Sequence, residues 1–230
     1  MSTEIKICGI TTPDALSATA KSGARYAGFV FYEPSPRFVS PEVAAQFCRA
    51  LPTGLRGVTL FVDPDDALID ATVVRLPMDY IQLHGSESPA RVAELKARTG
   101  LKVIKAFGVR DKDDLKRAEE YAPLVDMFLF DAKPPADPDA LPGGNGLSFD
   151  WRILDGYNGS RPWMLSGGLD PDTVGDAIKL TRPPAVDVSS GVEASRGVKD
   201  VAKIHAFADA VRAADADVTS AQAEKWGLKL

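Results

Sequence analysis

Residues 163–191 read WMLSGGLDPDTVGDAIKLTRPPAVDVSSG. A short apolar run ends in Ser-Gly-Gly, and Leu169–Leu180 then carry apolar residues at helical spacing. Two prolines break the pattern before a second apolar run, Ala185–Val188, which ends in Ser-Ser-Gly. Two strands joined by a helix run parallel. The unit recurs when the reading is extended toward the N-terminus. Apolar, β-rich runs occupy 5–9, 26–31, 57–62, 80–85, 102–107, 127–132, 163–168 and 185–191. Most are continuously apolar, as strands covered on both faces are. Helical patterns lie between most of them, several opened by Thr-Pro or Ser-Pro, with a weaker one at 63–77. Strand and helix alternating eight times between residues 4 and 214 predict a single (β/α)8 barrel around a parallel eight-stranded core. A doubly wound open sheet alternates too, but no G-x-G-x-x-G follows the first strand.

The boundaries predicted are a catalytic barrel over 1–213 and a polar C-terminal tail over 214–230, with packed or disordered tail both open. The Pro/Gly-rich stretch 132–147 follows a strand end and reads as a functional loop rather than a linker. A net charge of −5 and a pI near 5.1 argue against a nucleic-acid partner, which needs a clustered basic face. No run approaches the roughly 20 apolar residues of a membrane span, and the first residues show no signal-peptide pattern. Two cysteines make no disulfide framework, so a reduced, cytoplasmic protein is expected. Neither H-E-x-x-H nor paired Cys-x-x-Cys is present, so no metal is expected. Monomer and homodimer are both open.

In such a barrel the C-terminal ends of the strands form the active-site face. The candidates there are Cys8, Glu33, Ser35, Arg37, Asp63, Gln82, His84, Lys105, Asp131, Ser166, Asp187 and Ser189. The loops with Gly167 and Gly168 after strand seven, and Ser189, Ser190 and Gly191 after strand eight, suit a phosphate, with one turn of extra helix in SGVEAS. Cys8 and Asp131, on different sides of the mouth, suit an acid and a base acting on one small substrate. The residues alone leave Cys8 open between buried filler and reactive thiol. A thiol base needs a lowered pKa, and Lys6, one layer deeper, is not expected to supply it by adjacency. Arg37, between two prolines and an aromatic, suits a two-pronged grip on a carboxylate. His84 is balanced between site and core, whereas His205 and Cys48 read as structural.

The motifs KICGIT with Cys8, SPRFVS with Arg37, IQLHGSE with His84, FDA with Asp131, GGNGLSFDW, SGGLDPDTV and AVDVSSGVEASRGVKD together resemble the phosphoribosylanthranilate isomerase family. They occur in order over about residues 4–210. The resemblance implies a cofactor-free step of tryptophan biosynthesis. N-(5-phosphoribosyl)anthranilate becomes 1-(2-carboxyphenylamino)-1-deoxyribulose 5-phosphate by an acid–base Amadori rearrangement. It implies Cys8 as general base, Asp131 as general acid and Arg37 on the anthranilate carboxylate. It further implies His84 and Asp187 lining the pocket, and the glycine and serine loops on the phosphate. Asn145 departs from the Thr or Ser usual in the GGxG loop.

Four rival readings follow. The equivalent isomerase of histidine biosynthesis, or a bifunctional barrel, would be expected to carry two aspartates, and Cys8 argues against both. Indole-glycerol-phosphate synthase would need a lysine acid, for which Lys105 is the candidate. A catalytically silent phosphate-binding barrel is opposed by the Cys8–Asp131 pair.

Overall fold

The computed structural model describes residues 2–73, 76–133, 141, 143–144 and 146–225, with side chains to residue 220. Eight parallel strands close into a barrel in chain order. They are β1 (Glu4–Cys8), β2 (Tyr26–Val30), β3 (Arg56–Phe61), β4 (Tyr80–Leu83), β5 (Lys102–Val109), β6 (Met127–Ala132), β7 (Trp163–Leu165) and β8 (Ala185–Val188). The helices α1 (Pro13–Lys21), α2 (Pro41–Arg49), α3 (Asp66–Val73), α4 (Pro89–Thr99), α5 (Lys112–Glu119), α6 (Val174–Thr181) and α7 (Val201–Lys225) cover the outside. The Thr-Pro and Ser-Pro signals act as read: Thr12, Ser40 and Ser88 accept from the backbone N–H three residues on, with proline in the first turn.

Period two along each strand divides the side chains. One set, with Ile7, Phe29, Phe61, Ile81, Phe128 and Val186, joins the large core between barrel and helices. The other fills the interior: Tyr26, Val58, Ile104, Met127, Leu129 and Met164 form its lower plug. Cys8, Val30 and Leu60 form a separate small cluster. The plug closes the bottom, so a ligand can enter only at the C-terminal end of the strands.

The structure departs from the eightfold alternation in one place. Between β6 and β7 the described residues hold only a 3-10 turn, Trp151–Leu154. Gly156, Gly159 and Pro162 follow at once, leaving too few residues for an amphipathic face. The last helix starts at Val201, because 193–199 folds instead into a hairpin of β9 (Glu193–Ser195) and β10 (Val198–Lys199). α7 then runs through position 214 without a break. Ala214 is buried, and the Thr3 N–H and hydroxyl both donate to the Asp215 carboxylate at 2.7 Å. Residues 226–230 of the expected tail lie outside the described residues, as does Asn145. Among the described residues no helix is long and apolar enough to cross a membrane.

Candidate active site

The strand ends surround a cavity that opens at the mouth of the barrel. Cys8, Arg37, His84 and Asp131 line it, with Gly167, Gly168, Asp187, Ser189 and Ser190. Gly191 does not: a Cβ there would stand 2.0 Å from the Leu169 carbonyl oxygen, so its role is to let the two loops touch. Glu33 and Asp63 are also off the wall; Asp63 accepts from the Ser86 N–H at 2.8 Å and fixes a loop. Lys105 sits one residue from Ala106 of the interior plug, so it points outward. There it pairs with Glu87 at 3.0 Å and donates to the carbonyls of Gly85 and Ala106. That removes it from the mouth and with it the lysine acid of the synthase reading. Among the described residues no cluster of three or more His, Cys, Asp or Glu is placed to hold a metal.

Cys8 ends β1 and is 4% exposed. Burial pushes its thiol above the ordinary value of 9.0. This corrects the expectation of a lowered pKa: in a dry pocket the uncharged thiol is favoured. The opposing influences are Lys6 first and Lys199 after it. Lys6 was expected to lie too deep, yet its long stem carries the ammonium back to the thiol. A Cβ on Gly28 would stand 3.0 Å from Sγ and 3.2 Å from Lys6 Nζ. Gly28, on β2, therefore makes the room beside the thiol. Gly9 makes room for Arg37, whose Cδ would be 2.7 Å from a Cβ there. Lys6 is fully buried and bonded to Asp187 at 2.8 Å. Burial works against its charge, but Asp187 and Cys8 more than offset this and hold its pKa up.

Asp131 ends β6, three strands from Cys8 around the barrel. Its Oδ1 accepts from the Ala132 N–H at 2.8 Å, and its Oδ2 lies 3.3 Å from His84 Nε2. Gln82, two residues earlier on the same strand face, meets His84 Nδ1 at 3.1 Å. His84 is thus a site residue, joined to Asp131.

Arg37 is 4% exposed. Its two-pronged edge is already taken: Nε and Nη2 donate to the two oxygens of Glu193 at 2.7 and 3.1 Å. Nη2 also donates to the Gly144 carbonyl at 3.2 Å. Among the described residues Nη1 has no partner, so one prong remains for a ligand rather than two. Lys199 joins the same carboxylate at 2.8 Å. Burial alone would raise the Glu193 pKa; Arg37, Lys199 and the Gly197 N–H outweigh it and lower it from 4.5 to about 2. A depressed carboxylate contributes stability above pH 4.5 that is lost as the pH falls toward about 2. Glu193→Gln is therefore expected to have a lower Tm than wild type at neutral pH, with the gap closing between pH 4.5 and about 2. Thermal unfolding across that range checks it, and a gap that ignores pH would refute the assignment.

Glu193 and Lys199 escaped the sequence reading because they belong to a hairpin placed there by the loop, not to a strand end. Lys6 did leave a signal, a charge inside an apolar run with the same parity as Cys8. The loops after β7 and β8 lie together on the cavity wall. Gly167 and Gly168 have φ of +86° and +68°. The expected extra helix is a single 3-10 turn, Ser190–Val192. Its first two N–H groups have no partner within the turn. The Ser189 hydroxyl donates to the Cys8 carbonyl at 3.1 Å, tying the loop after β8 to β1.

The family model described as N-(5'-phosphoribosyl)anthranilate isomerase matches residues 5–210. An isomerase of that name from Paracoccus denitrificans is 55% identical over 207 residues, 90% of this chain and 96% of that one. Its counterpart from Rhodospirillum centenum is 53% identical, covering 90% and 97%. The crystal structure of the enzyme from Thermotoga maritima superposes with a TM-score of 0.82 at 37% identity, over 92% of this chain and 99% of that one. A further structure, of the isomerase in complex with reduced 1-(o-carboxyphenylamino)-1-deoxyribulose 5-phosphate, has a TM-score of 0.78 at 35% identity, over 92% and 99%. The matched residues run from the first barrel strand into the last helix, across every loop of the cavity: the chain belongs to the N-(5'-phosphoribosyl)anthranilate isomerase family.

Proposed function

We propose that the chain isomerises N-(5-phosphoribosyl)anthranilate to 1-(2-carboxyphenylamino)-1-deoxyribulose 5-phosphate in tryptophan biosynthesis, with Asp131 as acid and Cys8 as base. The carrying observation is that one cavity holds both groups, on strands three apart, beside two glycine loops. The compound bound in the related isomerase has a carboxyphenyl group, an open sugar and a phosphate. This cavity offers a counterpart to each: Arg37 Nη1, the Cys8–Asp131 pair, and the 167–168 and 189–190 loops.

The first proton passes from Asp131 to the furanose ring oxygen, and the C1′–oxygen bond breaks to leave a protonated Schiff base. Cys8 then takes the proton from C2′, whose electron pair moves into the C1′–C2′ bond and neutralises the iminium nitrogen. The resulting enolamine tautomerises to the ketone. Burial favours the thiol of Cys8, so the base form depends on the positive charges of Lys6 and Lys199. Arg37, fixed by Glu193, presents its Nη1 amino group to the anthranilate carboxylate. Asp187 meets Lys6 and the Ser166 hydroxyl, and so orders the floor beneath the reacting carbons.

The test is loss of phosphoribosylanthranilate fluorescence on mixing with the purified protein. Turnover is expected in wild type, with Asp131→Asn slower by about 10²–10⁴-fold, the usual share of one proton-transfer group. No turnover, with the histidine-pathway substrate converted instead, would sink the reading.

A further inference from the structure

Asp131 can act as an acid only if it holds a proton, and its surroundings restrict where that proton sits. Oδ1 accepts from the Ala132 N–H at 2.8 Å, and of the two oxygens of a carboxylic acid the carbonyl oxygen is the better acceptor. The proton therefore belongs on Oδ2, whose partner is His84 Nε2 at 3.3 Å. Gly143 closes over this contact; a Cβ there would be 2.7 Å from Nε2 and 2.9 Å from Oδ2.

The other ring nitrogen decides what Nε2 does. Nδ1 faces the Gln82 amide at 3.1 Å. As placed, the amide nitrogen is the near atom, while Oε1 is buried without a partner. Oxygen and nitrogen of an amide are told apart only by what they bond. Either way one amide atom has no partner among the described residues, so His84 alone sets the orientation. With nitrogen toward Nδ1, the ring carries its hydrogen on Nε2 and donates to Oδ2, and Asp131 has no proton to give. With oxygen toward Nδ1, that nitrogen carries the hydrogen. The proton between Nε2 and Oδ2 then remains available to the acid step. Only the second arrangement serves the chemistry.

We infer that Gln82 is a positioning residue for the acid: its Oε1 accepts from His84 Nδ1–H, turning Nε2 toward Asp131 as the acceptor of the catalytic proton. This rests on Asp131 being the acid. It explains why an uncharged amide sits fully buried on β4 with no other described partner.

The chain has two histidines, so the tautomer can be read directly. In ¹⁵N-histidine-labelled full-length protein, long-range ¹H–¹⁵N spectra distinguish Nδ1–H from Nε2–H, and His205→Gln assigns the signals. A hydrogen on Nδ1 of His84, in a neutral or cationic ring, is the expected result; a ring protonated on Nε2 alone overturns the inference. In kinetics, Gln82→Glu offers only acceptors and is expected to keep kcat within about threefold. Gln82→Met, of similar length but unable to accept, is expected to lose about 10–100-fold in kcat with KM little changed, part of the 10²–10⁴ due to the acid. Gln82→Met with wild-type kcat, or Gln82→Glu inactive where Gln82→Met is active, overturns it. Asp131→Asn, run alongside, separates the two readings. If it is active, the acid assignment fails. If it is inactive while Gln82→Met is normal, only the role of Gln82 fails.

Discussion

Cys8→Ser is expected to lose about 10³-fold in kcat, within the 10²–10⁴ that a general base contributes, with KM changed by no more than a few-fold. Serine keeps the shape of a residue that is only 4% exposed, and its hydroxyl fits beside Gly28, where the sulfur already lies close. What is lost is acidity. The pocket already pushes the thiol above 9.0, and it penalises an alkoxide more, because the hydroxyl starts from a far higher pKa. The positive charges of Lys6 and Lys199 are too small a help to offset that difference. Steady-state fluorescence of the substrate gives kcat and KM, and a thermal melt within a few degrees of wild type shows that the fold survives. A variant that turns over near the wild-type rate would remove Cys8 from the mechanism.

The second large effect is on stability. Lys6→Met removes the only cation that, among the described residues, is bonded to Asp187 inside the barrel. The remaining partner of that carboxylate is the Ser166 hydroxyl at 3.2 Å, a neutral donor. Breaking a buried ion pair from one side leaves an uncompensated charge, which costs about 3–5 kcal/mol. Methionine matches the stem of lysine, so the loss reports the charge rather than a cavity. Denaturant unfolding is expected to show that loss, and Lys6→Met with Asp187→Asn should restore much of it by removing the stranded carboxylate. Iodoacetamide labelling of Cys8 should also slow in Lys6→Met, since the strongest influence favouring the thiolate has gone. A stability change under about 1 kcal/mol would show that the pair is not desolvated as the structure has it.

The barrel was legible because its signals are local. Strand length, the Ser-Pro and Thr-Pro caps and the glycines after β7 and β8 act within a few residues, and each formed where it was read. The connection between β6 and β7 shows the limit of that reading: regular alternation elsewhere suggested a helix, and among the described residues only the 3-10 turn Trp151–Leu154 forms there. The mouth was legible for the same local reason. Residues at strand ends with the parity of Cys8 face inward, which brought Cys8, His84, Asp131 and Asp187 to one cavity. The same parity sends Lys105 outward.

What the sequence by itself determined is therefore the topology, the face on which chemistry takes place and the types of group that gather there. Only the tertiary structure decided their electrostatic state. Lys6 and Asp187 are 181 positions apart, and Arg37 and Glu193 are 156 apart. No local pattern connects such residues, yet closing the barrel buries each pair together at hydrogen-bond distance. Burial and charge act through space, not along the chain. For that reason the pKa of Cys8 is raised where a lowered one was expected, and among the described residues Arg37 keeps only Nη1 unpartnered, because Glu193 and the Gly144 carbonyl take Nε and Nη2.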